Sequence, residues 1–515
     1  MATRLGTRPE PDTGEAPPTH LKPIDKREFG YAQARHLLWR AGFGGTPSQI
    51  QTLAAWGVDK AVDHLLDYTQ VPYEAPAPDR FDPDIMRPLN DDDRQRLRNA
   101  QRSQDENTLA QYRLRRQQAQ RRDRQQIVEM QRWWLKRMIE TPRPFEEKMT
   151  LFWHGRLATG YRTIENSYHM YLQNQMFRAN GAGNFGTILN AIVHDPAMLK
   201  YLDNDESSKR RPNENLAREL MELFSLGVGA YSERDIKEGA RALTGYTFRD
   251  DEFYFDRKNH DTGTKLILGV RAAHNGESFV RAILAQKACS HYLASNLYRY
   301  FVRHIPTDPR QQDEPTQAIV SRIASALRRS DYEIRPVLRE LFTSQHFYHP
   351  RIVGEQIKSP VELVVGAVRS LNAPVRDLGV LNDALDLMGQ RLFFPPSVKG
   401  WDGGRAWINT STMFVRQNIL AFLLTGKKPV GYDAMAESEG FDPMPLLATL
   451  EAGDPGSTND ARKVVDYLLR LTLGETPQSA REVLTEFVES HGGVRKDVVT
   501  GALLLITAMP EYQLC

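Results

Sequence analysis

From about Phe29 onward the apolar positions recur three and four residues apart, the spacing of helices that bury one face. A start signal repeats with them: a capping residue, proline at the first helical position, and often Gln or Glu two residues after the proline. It reads Thr46-Pro47-Ser48-Gln49, Asp308-Pro309-Arg310-Gln311 and Ser359-Pro360-Val361-Glu362, with looser forms at Thr141-Pro142, Asp195-Pro196 and Thr476-Pro477. The capping oxygen accepts a free N–H of the first turn, and proline lacks only an N–H that had no partner there. Strand signals are sparse. Tyr246-Thr247-Phe248 and Glu252-Phe253-Tyr254-Phe255 flank the polar turn Arg249-Asp250-Asp251, which predicts one small hairpin. Repeated apolar β-branched runs, which a parallel sheet needs, are missing.

The pattern predicts an all-α fold: a large multi-helix globular body with one small β-hairpin and a helical C-terminal unit. Residues 1–27, polar and proline-rich, read as a disordered tail. The main helical domain spans 28–425, a polar Gly/Pro-containing linker 426–459, and a helical unit packing on the main domain 460–515. Within the main domain, residues 91–126 hold ten arginines and many glutamines, read as a long solvated helical insertion. Tyr112 is the one aromatic residue of that segment, so base stacking is poorly supported and a nucleic-acid partner is not expected.

Composition narrows the field further. Of 515 residues, 40% are hydrophobic and 26% charged, which is ordinary for a folded domain, and the formal charge of +2 implies no polyanionic partner. The two cysteines, Cys289 and Cys515, exclude a disulfide framework and a Cys-rich zinc site. No apolar signal segment opens the sequence and no run is long enough to span a membrane, so the cytoplasm is the expected location. Gly181-Ala-Gly-Asn-Phe-Gly186 spells a dinucleotide-binding loop, but it follows a helical run and reads as a helix break. Gly426-Lys427 is followed by Lys428, not Ser or Thr, so it is no phosphate loop. Nucleophile elbows and His-Glu-x-x-His zinc helices do not occur.

Polar residues are densest from Asp195 to Lys265. In the helix Asn213–Phe224, Asn215, Glu219 and Glu222 share one face beside the stripe Leu216, Leu220, Leu223. Carboxylates at the edge of a core are costly unless paired or bound to a cation. In one account Glu219 and Glu222, with His260, Asp261 or His154, hold iron, manganese or zinc, and Arg218 or Lys399 binds an anionic substrate group. The expected metal ligands are Glu219, Glu222, His260 and His154. In the other, Arg218 and Arg241 pair with Glu214, Glu219, Glu222 and Glu238 in an ionic network that fixes helix register.

These stretches carry a resemblance. Asp195-Pro-Ala-Met-Leu, Asn213-Glu-Asn-Leu-Ala-Arg-Glu-Leu-Met-Glu-Leu-Phe, Ala240-Arg-Ala-Leu-Thr-Gly-Tyr, His36-Leu-Leu-Trp-Arg-Ala-Gly-Phe-Gly and Phe152-Trp-His154 resemble a bacterial family called domain of unknown function 1800. So do His260-Asp261-x-Gly263, Lys358-Ser-Pro-Val-Glu-Leu-Val-Val, Pro395-Pro-Ser-Val-Lys-Gly-Trp401, Gly403-Gly-Arg-Ala-Trp-Ile-Asn409 and the final Pro510-Glu-Tyr-Gln-Leu-Cys515. The likeness runs from about residue 30 to the end. It implies no settled activity; a sulfatase-like protein encoded beside such genes is the partner it suggests. Many members carry export signals, which this sequence does not show. Members often have a second histidine where this sequence has Arg156. Two functional expectations result: a metal-dependent oxidative or hydrolytic enzyme, or a non-catalytic scaffold or maturation partner whose charged cluster is structural. The expected pocket is lined by Glu219, Glu222, His260, Asp261, His154, Lys399, Trp401, Trp407 and Asn409.

Overall fold

Capping at the predicted starts shows how the chain becomes helical. In a computed structural model that describes residues 16–427 and 440–515, Thr46, Asp195 and Ser359 each accept the N–H three residues on, with proline at the first helical position. Asp308 opens only the 3-10 turn Pro309–Gln311, and the helices after Thr141 and Thr476 begin later, at Pro144 and Gln478. Twenty-two α-helices form among the described residues, and none is long and apolar enough to cross a membrane.

Two helices form the centre. Every residue from Pro144 to His154 is buried in the helix Pro144–Arg156, and the helix Pro360–Leu371 is buried along almost its whole length. A helix enclosed on all sides must satisfy its charges internally. Glu147 accepts from Arg137 Nε at 2.5 Å, Arg178 Nε at 2.7 Å and Trp134 Nε1 at 2.8 Å. Lys148 pairs with Glu362 across the two helices, and the ammonium next to Glu362 holds that carboxyl down to about 2 against the opposing effect of burial.

The predicted hairpin forms, with β1 (Tyr246–Arg249) antiparallel to β2 (Glu252–Phe255) and Tyr246 opposite Phe255. A second, unpredicted hairpin pairs β3 (Lys265–Ile267) with β4 (Val270–Ala272). Its strands are three residues long, and its turn puts Leu268 at φ 48°, so no Asn-Gly or Asp-Gly pair advertises it.

Two expected segments, the tail and the linker, hold buried residues. Residues 16–27 of the predicted tail are described and docked: Leu21 and Ile24 are buried, and Ile24 N–H donates to Thr343 O at 2.8 Å. Of the predicted linker, 428–439 lie outside the described residues, while beyond them the helix Ala448–Gly453 forms, and Phe441, Leu446 and Leu447 are buried in the common core. In both places a few apolar residues in polar sequence supply the anchorage that composition averages away. The Arg/Gln-rich segment folds as the helix Asp91–Ser103 and the exposed first half of the helix Glu106–Glu140. The helices Ala461–Thr472, Gln478–Ser490 and Lys496–Thr507 share the core of the main body. Arg35 ties them to it through Leu471 O at 2.8 Å, and Lys358 N–H donates to Gln513 O at 2.8 Å.

Candidate functional site

The carboxylate-rich region comes first because the sequence singles it out. The helix Asn215–Glu222 is amphipathic, with Leu216, Ala217, Leu220 and Met221 buried, so its polar residues stand at the core edge. Glu219 is pushed up, first by burial and then by neighbouring Glu222. Glu222 accepts a hydrogen bond from the Tyr231 hydroxyl. Arg218 pairs with Glu233 at 3.0 Å and Glu214 at 3.3 Å, not with Glu219 or Glu222. Asp261 accepts from Arg241 at 2.8 and 3.2 Å, and that guanidinium holds its carboxyl below the usual range. Arg241 also reaches Glu238 at 2.8 Å, and Leu268 N–H donates to Asp235 at 2.7 Å, so this network joins the second hairpin to the helix Glu233–Ala242. His260 places Nδ1 2.8 Å from Thr244 O, with its ring 5.0 Å from Phe255.

His154 lies apart from all of these. It is 1% exposed among Trp134, Phe393 and Trp401, and burial pushes its pKa down to about 3. Phe393 N–H donates to its Nε2 at 3.1 Å, so the lone pair of that nitrogen is engaged and the ring proton sits on Nδ1. Lys399 is exposed and pairs with Asp402 at 2.7 Å. Asn409 caps the helix Thr410–Thr425. Among the described residues, no three His, Cys, Asp or Glu side chains are grouped so as to hold a metal.

A pocket of about 80 Å³ opens elsewhere, and of the residues expected to line one it takes only Trp401 and Trp407. Its walls are the last turn of the helix Pro144–Arg156, the end of the helix Lys287–Phe301 with His304, the segment 356–362, and the turn Gly404–Trp407. Two glycines let that last loop close in. Gly400 has φ +78°, and a Cβ there would lie 2.0 Å from Gly155 O; Gly404 has φ +56°, and a Cβ would lie 2.6 Å from His304 Nδ1. Any larger residue would push the loop, and Trp401 with it, off the helix end.

The pocket's electrostatics are one-sided. Arg156 is partly buried and forms no hydrogen bond or ion pair with any described residue. Burial lowers its pKa. Arg299 donates only to neutral groups, Ile305 O at 3.2 Å and Asn296 Oδ1 at 3.1 Å, and burial followed by repulsion from Arg156 brings it to about 10. His304 is pushed down by burial and then by Arg299, Arg156 and Arg405. Two carboxylates also line the space, but both are engaged: Glu362 with Lys148 and with Ser359 N–H at 2.8 Å, Asp402 with Lys399. Sequence reasoning passed over Arg299 and His304, which sit in no motif, and met Arg156 only as a missing histidine.

The chain belongs to the family described as "Protein of unknown function (DUF1800)", which matches residues 36–514. No curated protein and no solved structure matches it.

Proposed function

We propose that this member of the family binds a small organic anion, a carboxylate or phosphate, in the pocket at Trp401, held by Arg156 and Arg299. The observation that carries this reading is the unmatched Arg156 guanidinium. A partly buried cation beside a second cation is unfavourable, and an anionic ligand between them removes the penalty and accepts charge-assisted hydrogen bonds. Calorimetric titration with phosphate and with carboxylates at low ionic strength tests it. We expect saturable binding that Arg156→Gln weakens about 10- to 100-fold, the equivalent of one charge-assisted contact. An absence of saturable binding by either anion class would sink the reading.

The cluster of Arg218, Glu219, Glu222, Arg241, His260 and Asp261 we assign to structure, as in the scaffold account. Its support is that Arg218, Arg241 and Asp261 are matched to one another or to Glu214, Glu233 and Glu238. The metal-dependent account takes Glu219, Glu222 and His260 as ligands with His154 as a further one, and the engaged Nε2 of His154 speaks against that last ligand. Elemental analysis of protein purified without affinity metals distinguishes the two accounts. Stoichiometric iron, manganese or zinc that Glu219→Ala abolishes would restore the metal-dependent enzyme.

A further inference from the structure

Resting on the anion-pocket reading, we infer that the ligand carries its anionic group on a six-membered ring whose face lies against the indole of Trp401. Much of the rest of the pocket lining is aromatic, with Trp401, Trp407, Tyr300 and Phe152 contributing to it. An acyclic anion would satisfy the guanidiniums and leave this surface wet, whereas a ring face would cover it and gain contact area and dispersion.

Three features make Trp401 a prepared platform. Its ring is backed by His154 at 5.6 Å between centroids. Its edge sits over Gly155, where a Cβ would lie 3.6 Å from Cε3. The loop that bears it is seated at Gly400 and Gly404 by contacts too close for any side chain. The indole is therefore fixed before a ligand arrives, which lowers the entropy lost on binding. In addition, the buried Nε1 of Trp401 has no hydrogen-bond partner. Cations at Arg156 and Arg299 beside a fixed aromatic platform describe a ring with an acidic substituent.

Aromatic acids and sugar acids or sugar phosphates share this chemistry, and matched probes separate them. Full-length protein is titrated calorimetrically with phenyl phosphate, glucose 6-phosphate and n-butyl phosphate, and in parallel with benzoate, glucuronate and butyrate. We expect at least one ring-bearing member of a set to bind about 10-fold or more tightly than its acyclic counterpart, with its identity naming the aromatic or the sugar source. Trp401→Leu should bring that ratio to within about 2-fold. Trp401→Phe, a safer change for folding, should retain most of the preference. Equal affinities for ring-bearing and acyclic anions in wild type would overturn the ring and leave the anion pocket standing. If no probe of either set binds, the anion pocket falls and the ring inference with it.

Discussion

The carboxylate-rich region around Asp261 and the pocket at Trp401 invert each other. The first holds many charges, and its arginines are matched: Arg241 by Asp261 and Glu238, Arg218 by Glu214 and Glu233. The second holds few charges, and its arginines are not: among the described residues Arg156 has no partner and Arg299 only neutral ones, and the nearby carboxylates belong to Lys148 and Lys399. The density of polar residues thus marks where charges are matched to one another, and the imbalance marks where we propose that an anion binds. Matched charges lower the energy of the chain itself; an unmatched guanidinium is stabilised only by what comes to it.

The hardest trial of this contrast is Glu362, which lines the pocket yet is matched. Glu362→Ala leaves the ammonium of Lys148 buried with no counter-ion, and we expect a loss of about 3–5 kcal/mol in denaturant unfolding. A loss under 1 kcal/mol would mean that matching does not govern stability here. Asp195 is the next largest, because it is a buried carboxylate with no cation. It accepts from Gln173 Nε2 at 2.7 Å and Met198 N–H at 2.8 Å, and burial raises its pKa from 3.8 to about 7. The folded pKa lies above the unfolded one, so this contribution is fully present below about pH 4 and lost as pH rises to 7. Asn keeps the cap without the charge. Asp195→Asn should therefore gain on wild type above pH 7, by up to about 4 kcal/mol, with the advantage vanishing below pH 4. Unfolding curves at pH 4 and pH 8 check this, and a pH-independent difference contradicts it.

What could be read in advance follows the same division. Helices were legible because caps and periodicity are local: Thr46, Asp195 and Ser359 do what their sequence context predicts. The β1/β2 hairpin was legible from its aromatic alternation, while β3/β4 was not, since Leu268 takes the positive φ usually signalled by Gly or Asn. Trp401 and Trp407 were named as pocket residues, but Arg156, Arg299 and His304 come together only through tertiary packing. An arginine's want of a partner cannot be read from its neighbours in sequence. Nearby carboxylates predict only part of the pairing of Arg218: it takes Glu214 as expected, but Glu233, fifteen positions away, over Glu219 and Glu222.

Asp261→Ala sharpens the comparison at intermediate size. It removes the acceptor of two Arg241 hydrogen bonds and the 2.8 Å turn contact to Gly263 N–H. We expect a loss of about 1–3 kcal/mol, the cost of leaving partly buried donors unmet. Hydrogen exchange should localise that loss to 261–272; an unchanged exchange pattern there would count against a structural role.

The smallest expected change is the most informative. Arg156→Met keeps a long side chain against the pocket wall and deletes a charge that stabilises nothing in the described fold. Its stability should stay within about 0.5 kcal/mol of wild type, because no partner is left behind and repulsion on Arg299 is relieved. The same relief should appear at His304, which Arg156 helps to hold down, as an upward shift of its imidazole titration by NMR. A large loss of stability in Arg156→Met would show that this guanidinium serves the fold after all, and the contrast between the two regions would collapse. Unchanged stability with anion binding abolished would place Arg156 outside the fold's own needs, which is the property that sets a binding site apart from a structural ion pair.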